Sequence, residues 1–249
     1  MTYEEILSIG AHIGRGLLEF GAEAYRVENS VQKVVETYDL GHCEVYSIPN
    51  YLHINLTAAD GSTHSKMCRA SSMKGVDLEK LNALNDLCRA IVEKKPDAEE
   101  IRERLRAIDC TRQYSLPMQI LAYAVVSGGF ALFWGGVPLD GAAAAVIGCA
   151  VAVVMYYLSK LEANLFYKSI LASMLSAFLT CLFIRWGFGL HRDEIIIGVI
   201  MTLVPGVMIT NFMREIIVGD WLTGITKLVE ALLIAGAIAL GTGIVLAFI

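Results

Sequence analysis

A single stretch marks where the chain changes character: QYSLPMQILAYAVVSGGFALFWGGVPL, residues 113–139, holds no charged side chain. A helix rises about 1.5 Å per residue, so roughly 20 residues cross the hydrocarbon core of a bilayer. The stretch is therefore long enough for a membrane-spanning helix. Of the 45 Asp, Glu, Lys and Arg residues, 32 precede residue 116 and 13 follow it. The two parts are thus composed like a soluble domain and a membrane protein.

The part after residue 116 contains further long stretches without charge. It is therefore predicted to be an α-helical polytopic membrane domain, residues 116–249, with five transmembrane helices. The predicted spans lie near 117–136, 140–158, 166–186, 195–213 and 226–247. Lys or Arg occurs between the second and third spans and between the fourth and fifth, which places these connections in the cytoplasm under the positive-inside bias.

The first 115 residues are predicted to form a soluble α+β domain. Apolar residues recur at helical spacing, and short runs rich in Val, Ile, Tyr and Thr flank turn residues as in a strand meander. The predicted helices cover 3–20, 22–38, 77–94 and 96–109, and the predicted strands cover 43–48, 51–57 and 63–69. Because MTYEEILSIG is acidic where a signal peptide is cationic, we expect residues 1–115 in the cytoplasm, with 110–115 as the hinge into the membrane.

Several function classes are disfavoured by composition and motif. The formal net charge is −5 and neither part is basic, so no nucleic-acid partner is expected. No phosphate-binding glycine loop, nucleophile elbow or HExxH motif is present in the sequence, so neither an enzyme nor a cofactor is expected. Five histidines and cysteines near the predicted strands lack the close ligand spacing of a structural zinc site. They are His42, Cys43, His53, His64 and Cys68.

Pro205 and Gly206 interrupt the fourth predicted span. Proline has no N–H to donate to the carbonyl of residue 201, and glycine leaves the backbone accessible, so polar main chain is exposed at mid-membrane depth. Transporters bind ions or substrates at such broken helices. Thr202 and Thr210 fall on the same broad face of this span. Thr202, Pro205 and Gly206 are therefore candidate substrate-binding residues. A tolerated kink without function is the alternative.

The third predicted span carries hydroxyl side chains on one face. At 100° per residue they lie within an arc of about 60°: Ser169, Ser173, Ser176 and Thr180. A continuous hydroxyl stripe predicts a polar path, in which Ser173 and Ser176 are candidate substrate-binding residues. The alternative is that small hydroxyl residues let two helices pack closely.

Charged residues cluster at the start of the last predicted span. Asp220 is placed to cap this helix, and Lys227 and Glu230 have the spacing of an ion pair. Ionisable groups at or inside a membrane cost several kcal/mol unless they are paired, which makes them functional candidates. We expect Lys227 to hold a substrate carboxylate, and an acid to carry a coupling proton. Interfacial anchoring is the alternative.

The last span also carries small residues at four-residue spacing, which is typical of a helix-packing face. They are Ala231, Ala235, Ala239 and Gly243. This face suits a partner helix.

Four segments carry a resemblance to a known family. They are GAEAYRVENS at 21–30, IPNYLHINL at 48–56, LVPG at 203–206 and GDWLTGITKLVEALLIAGAIALG at 219–241. Together they resemble the bacterial threonine/serine exporter family, and more specifically the larger component of its split, two-protein form, which also includes succinate exporters. The resemblance implies an export carrier, and Pro205, Gly206, Asp220, Lys227 and Glu230 lie in its matching segments.

The resemblance also implies a partner. Fused members of that family carry a second membrane block in the same chain, so either a separate small membrane protein completes the pathway or this chain assembles as a homo-oligomer. The leading hypothesis is secondary export across the cytoplasmic membrane of a small carboxylate-bearing metabolite, either a hydroxy amino acid (threonine or serine) or a succinate-type dicarboxylate. The alternative is a membrane-tethered enzyme or sensor that acts through its cytoplasmic domain. The substrate and the coupling ion stay open at this point.

Overall fold

The computed structural model describes residues 1–70, 76–111, 114–161 and 163–248. The chain divides into two compact units, Met1–Arg112 with Val207–Leu228, and Gln113–Gly206 with Val229–Ile249. The predicted hinge over 110–115 includes residues 112 and 113, which lie outside the described residues. The boundary between a cytoplasmic domain of residues 1–115 and a membrane domain of residues 116–249 stays a prediction.

The first unit contains the helices and the strand meander that the sequence predicts. Three of its helices begin at a side-chain cap, because Thr2, Asp77 and Asp97 each accept a backbone N–H from the first turn. The predicted elements are confirmed as α1 (Tyr3–Glu19), α2 (Ala24–Glu36), β1 (Gly41–Ile48), β2 (Tyr51–Ala58), β3 (Thr63–Arg69), α3 (Leu78–Lys94) and α4 (Ala98–Asp109).

The core of the first unit lies between the sheet and the first two helices. The strands pair antiparallel in the order β1-β2-β3, and α1 and α2 contact them. Alternate residues of β2, namely Leu52, Ile54 and Leu56, are fully buried, as the two-residue period of a strand requires. Burial of each such side chain stabilises the fold by about 1.5–3 kcal/mol. Val27 and Val31 of α2 are buried in the same core.

The second unit is helical. It contains α5 (Leu116–Phe133), α6 (Pro138–Lys160), α7 (Leu165–Arg185), α8 (Arg192–Ile200) and the larger part of α10 (Trp221–Phe248). Within the described ranges, four helices are long and apolar enough to cross a membrane, namely α5, α6, α7 and α10. A mostly helical membrane protein with a small N-terminal sheet is thus supported, whereas the count of five spans is not confirmed.

The fourth predicted span, 195–213, is two helices rather than one. Helix α8 ends at Ile200, a turn follows, and α9 (Gly206–Val218) begins directly after Pro205. Pro205 has no N–H with which to continue the hydrogen-bond ladder of α8. A helix of nine residues is about 13.5 Å long, which is less than half of a bilayer core. The predicted break at Pro205 and Gly206 is confirmed. Because of this break, residues 195–213 contain no helix long enough to be counted among the four candidate membrane-spanning helices.

Small residues allow the helices of the second unit to approach closely. A Cβ added at Gly198 of α8 would lie 2.7 Å from the Cβ of Ala131 and from the carbonyl oxygen of Ser127, both on α5. A Cβ at Gly148 of α6 would lie 2.9 Å from the Tyr123 carbonyl oxygen. Membrane helices associate through such close backbone contacts, because lipid provides no hydrophobic drive between them.

Candidate functional site

The segment GAEAYRVENS forms the turn between α1 and α2 and the start of α2. Gly21 has a φ of +92°, a conformation that favours glycine and lets the chain reverse after α1. Glu23 is the N-cap residue of α2, but its side chain caps no backbone N–H. The first N–H groups of a helix have no intrahelical acceptor and carry partial positive charge. The start of α2 therefore needs an acceptor from elsewhere in the unit.

Glu215 of α9 supplies that acceptor. Its Oε1 accepts the Ala24 N–H at 2.8 Å and a hydrogen bond from the Lys227 Nζ at 2.9 Å. The Glu215 side chain is fully buried and that of Lys227 is 7% exposed. Removing one partner of a buried ion pair typically costs about 3–5 kcal/mol, because an uncompensated charge stays behind. The two charges must therefore be kept, or replaced, together.

The turn between α9 and α10 brings the two charges together. Gly219 adopts a φ of +100° at this turn, and the Asp220 carboxylate accepts the Thr223 N–H at 3.2 Å. Asp220 therefore caps the last helix as the sequence predicts. The structure pairs Lys227 with Glu215, whereas the sequence spacing suggested Glu230.

Two buried polar atoms at this turn lack a hydrogen-bond partner within the described parts of the chain. They are Glu215 Oε2 and Thr223 Oγ1. Thr223 and Lys227 are four residues apart and so lie on the same face of α10. Buried polar atoms without a partner are uncommon in native proteins. The ion pair is therefore flanked by polar atoms that a small polar molecule can satisfy.

A second ion pair connects α9 to the turn between α1 and α2. Arg214 pairs with Glu23, whose side chain is 5% exposed, and Asn211 donates to the carbonyl oxygen of Gly21 at 3.3 Å. The three α9 residues Asn211, Arg214 and Glu215 have the i, i+3, i+4 spacing of one helix face. One face of α9 therefore binds the start of α2. This region lies in residues 21–30, GAEAYRVENS, which we call the family-like segment.

Glu28 is a further carboxylate on α2 in this region. It accepts the Ser47 N–H at 2.8 Å. Burial raises the pKa of Glu28, the hydrogen bond from Ser47 offsets part of that rise, and the charges of Asp220 and Glu215 add to it. The surroundings of Glu28 thus favour a proton on its carboxyl group more than bulk water does.

The predicted residues at the helix break belong to the second unit. Thr202 Oγ1 donates to the Val199 carbonyl oxygen at 2.7 Å, and a Cβ added at Gly206 would meet no described atom within 4 Å. The backbone at the break is therefore uncrowded. The proposed roles of Thr202, Pro205, Gly206 and Glu230 in substrate binding stay predictions.

The hydroxyl stripe of α7 is buried as one face, comprising Ser169, Ser173, Ser176 and Thr180. Ser169, Ser173 and Thr180 donate to carbonyl groups of their own helix, while Ser176 Oγ has no partner among the residues that are described. A Cβ at Gly241 of α10 would collide with Ser173 and with the Ile170 carbonyl. This contact supports close packing as one role of the stripe, and substrate binding by Ser173 and Ser176 stays a prediction.

Sequence reasoning missed a second buried carboxylate, Asp140 in the first turn of α6. Its Oδ1 accepts the N–H groups of Leu190 at 2.7 Å and His191 at 3.1 Å. Its Oδ2 accepts the Val137 N–H at 3.0 Å and lies 2.8 Å from His191 Nδ1. Asp140 therefore fixes the α7–α8 connection to the start of α6. A signal was present, because Asp140 is the one charged residue within 113–159.

The predicted packing stripe of α10 is mostly exposed. Ala231 is buried, but Ala235, Ala239 and Gly243 are exposed. Within the second unit α10 packs through a different face, which includes Gly241. The exposed small residues are therefore accessible to another helix.

Comparison with known proteins agrees with the resemblance of the four segments. A protein named "Threonine/serine exporter" from Corynebacterium glutamicum is 22% identical over 247 residues, which cover 96% of this chain and 50% of that relative. The chain thus spans about half the length of the curated relative. No solved structure matches the chain. The family model described as "Putative threonine/serine exporter" matches residues 8–249, and the chain therefore belongs to the threonine/serine exporter family.

Proposed function

We propose that the protein is a secondary exporter of small hydroxy amino acids, threonine or serine, in the cytoplasmic membrane. Family membership and four apolar helices support a membrane exporter. The observation that carries the assignment of substrate is the buried Glu215–Lys227 ion pair, with an unpartnered oxygen on Glu215 and an unpartnered hydroxyl on Thr223.

An ion pair is complementary to a zwitterion. When the pair separates, Lys227 can bind the carboxylate of an amino acid and Glu215 can bind its ammonium group. Each buried charge then keeps a partner, so the exchange avoids the cost of an unpaired charge in a low-dielectric site. The Thr223 hydroxyl lies one turn from Lys227 and offers a hydrogen bond to the side-chain hydroxyl of serine or threonine.

The same pair supports coupling to protons. A proton on Glu215 and the ammonium group of the substrate compete for one carboxylate, so the site holds either the proton or the substrate. Exclusive occupation is what exchange of an inward proton for an outward substrate requires. Glu215 releases its proton before it binds the ammonium group, and takes up a proton after the substrate leaves.

A succinate-type dicarboxylate is a poorer match to this site. Its two carboxylates require two cations, and the neighbouring Arg214 is already paired with Glu23. A second carboxylate beside Glu215 would also add repulsion between like charges. The geometry therefore favours the amino acid over the dicarboxylate, both of which were open from sequence alone.

The remaining predicted residues are assigned supporting roles in export. Asp220 positions Lys227 by capping α10. We propose that Thr202, Pro205 and Gly206 contact the substrate at the helix break, and that Glu230, Ser173 and Ser176 also take part in substrate binding.

We place residues 1–115 in the cytoplasm and the chain in the bilayer with a small membrane protein as partner. The exposed small residues of α10 support this partner, because such residues let a second helix approach closely. A homo-oligomer is the other arrangement that uses the same face.

The test is efflux from cells preloaded with labelled threonine, serine or succinate, with and without the small membrane protein encoded beside this chain. We expect threonine or serine efflux that falls to background in the neutral double variant Glu215→Gln/Lys227→Met. The matched control is Glu100→Gln/Arg104→Met, which neutralises an exposed ion pair of α4 and should leave efflux unchanged.

Three results would count against the proposal. Efflux of succinate alone would overturn the amino-acid assignment. Normal efflux by the neutral double variant would remove the ion pair from the mechanism. No efflux under any pairing would favour the membrane-tethered enzyme or sensor.

A further inference from the structure

A cleft of about 160 Å³ opens in the first unit beside the start of α2. Its lining combines residues of the family-like segment with residues of α3 and α9, including Gly21, Glu23, Arg26, Asn85 and Asn211. Neither Glu215 nor Lys227 lines it. The cleft is therefore a different place from the ion pair that is assigned to export.

The polar groups of the cleft are mostly uncommitted. The Arg26 side chain is half-exposed, and its one ion pair in the described part of the chain is a long contact of 3.5 Å with Glu23. Several of its guanidinium N–H groups thus remain available as donors. A guanidinium group with free donors is suited to bind a carboxylate in a bidentate manner.

The two amide side chains present acceptors. The amide nitrogen of Asn85 donates to the Leu81 carbonyl oxygen at 2.9 Å, and that of Asn211 donates to the Gly21 carbonyl oxygen at 3.3 Å. One N–H of each amide is thus bonded to backbone, and each carbonyl oxygen can accept a hydrogen bond. Amide oxygens are suited to bind an ammonium group.

The rest of the lining is apolar and supplies a place for a small side chain. It includes Leu17, which is buried, together with Ala22, Val76 and Leu81. A pocket that combines an apolar wall with a few polar groups of fixed orientation is the usual form of a small-molecule site.

We infer that this cleft binds a free α-amino acid, with its carboxylate at Arg26 and its ammonium group at the oxygens of Asn85 and Asn211. The site lies in the family-like turn that also anchors α9, so the ligand contacts both the segment 21–26 and Asn211. The cleft thereby senses the cytoplasmic amino acid that the protein exports. The inference concerns a separate site, and binding there is measurable whether or not export is as proposed.

A neighbouring groove offers the main competing ligand. A concavity of about 420 Å³ shares Arg26 and Asn85 with the cleft and adds Lys33 and Arg89. The three cations of this groove, Arg26, Lys33 and Arg89, outnumber its one acidic residue, Glu93. This excess of positive charge would favour a dianion such as succinate over a zwitterion. Asn211 and the small apolar wall belong to the cleft alone, and they favour the amino acid.

The test is calorimetric titration of the purified full chain in detergent, carried out in the Glu215→Gln/Lys227→Met background so that the proposed export site cannot contribute. The probes are L-threonine, L-serine, succinate, N-acetylthreonine and threonine methyl ester. We expect binding of the two free amino acids only, and at least tenfold weaker binding after Arg26→Gln. This variant leaves Glu23 paired with Arg214, so the fold should be preserved, which its unfolding temperature checks.

The matched control is Lys33→Gln, a cation of the neighbouring groove, which should leave threonine binding within twofold. The inference is overturned if Arg26→Gln binds threonine normally, if succinate binds more tightly than threonine, or if the acetylated or esterified compounds bind as well as threonine. Normal export by the Glu215→Gln/Lys227→Met variant, with threonine binding as expected here, would count against the export site alone.

Discussion

Asp140 of the second unit and Glu215 of the first are both fully buried carboxylates, and they are satisfied in opposite ways. Asp140 uses both oxygens, which accept three backbone N–H groups and bind His191. Glu215 uses Oε1 for Ala24 and Lys227, while its Oε2 has no partner in the ranges that are described. A carboxylate with all its acceptor sites filled by backbone holds loops in place. A carboxylate held through one oxygen by a backbone N–H and a lysine side chain, with its other oxygen to spare, can exchange the lysine for a ligand or a proton.

The largest expected effect comes from removing one charge of the Glu215–Lys227 pair and leaving the other. Glu215→Gln leaves Lys227 charged and buried without a counter-ion, so we expect a destabilisation of about 3–5 kcal/mol. The neutral double variant Glu215→Gln/Lys227→Met should recover most of this loss, because no buried charge is left. Thermal unfolding of the purified protein in detergent measures both. Equal destabilisation in the single and double variants would show that the charges do not interact.

The double variant also sharpens the comparison, since it separates stability from transport. A pair with only a structural role should regain efflux when stability is regained. An exchange site should regain stability and stay inactive, because neither the ammonium nor the carboxylate of the substrate finds its partner.

Asp140 should show the reverse pattern. In Asp140→Asn one oxygen can still accept from Leu190 and His191, but the amide nitrogen replaces the acceptor for Val137. A buried N–H without an acceptor costs about 1–3 kcal/mol. We expect lower thermal stability by an amount in this range, with efflux per folded molecule unchanged. Loss of efflux at normal abundance would place Asp140 in the transport mechanism and would undo the contrast with Glu215.

The local elements could be predicted from the sequence because their signals are local. The helical stripe of α2, the turns of the meander and the caps at Asp77 and Asp220 each depend on residues within a few positions of one another. The break at Pro205 follows from one missing N–H. The same locality leaves the count of five spans unconfirmed, because charge-free length over 195–213 suggested one crossing where the chain forms two short helices on either side of Pro205.

The site could be predicted only in part. Lys227 and Asp220 were identified from their position at a membrane boundary, but the acceptor of the Lys227 ammonium was taken to be the nearest acid in sequence, Glu230. The observed partner of Lys227 is Glu215, which is 12 residues away across a turn. Glu215 in turn accepts the N–H of Ala24, which is 191 residues from it. No periodicity encodes such pairs. The role of the turn at 21–23 also needed the fold, because the partner of Glu23 is Arg214 of α9, which is 191 residues away.

The smallest expected effect is a change of stability with pH at Asp140, which acts through its partner His191. The hydrogen bond to Asp140 raises the pKa of His191 above its ordinary value of 6.5. The charge of Asp140 and that of Glu194 at the start of α8 also raise this pKa, while desolvation lowers it. A pKa that is raised on folding means that the protonated histidine stabilises the fold, in full below the ordinary pKa and less as the pH rises through the raised value.

The variant His191→Gln isolates this contribution, because glutamine can donate to Asp140 but carries no charge at any pH. We expect the variant to unfold at a lower temperature than the parent at pH 6, and the difference to shrink as the pH approaches 8. The measurement is the unfolding temperature of both proteins across that range, with Arg192→Gln as a control for a general loss of positive charge. A constant difference would mean that the imidazole acts through its hydrogen bond alone. In that case Asp140 would bind its partners much as a neutral acceptor does, and its contrast with the ion-paired Glu215 would widen.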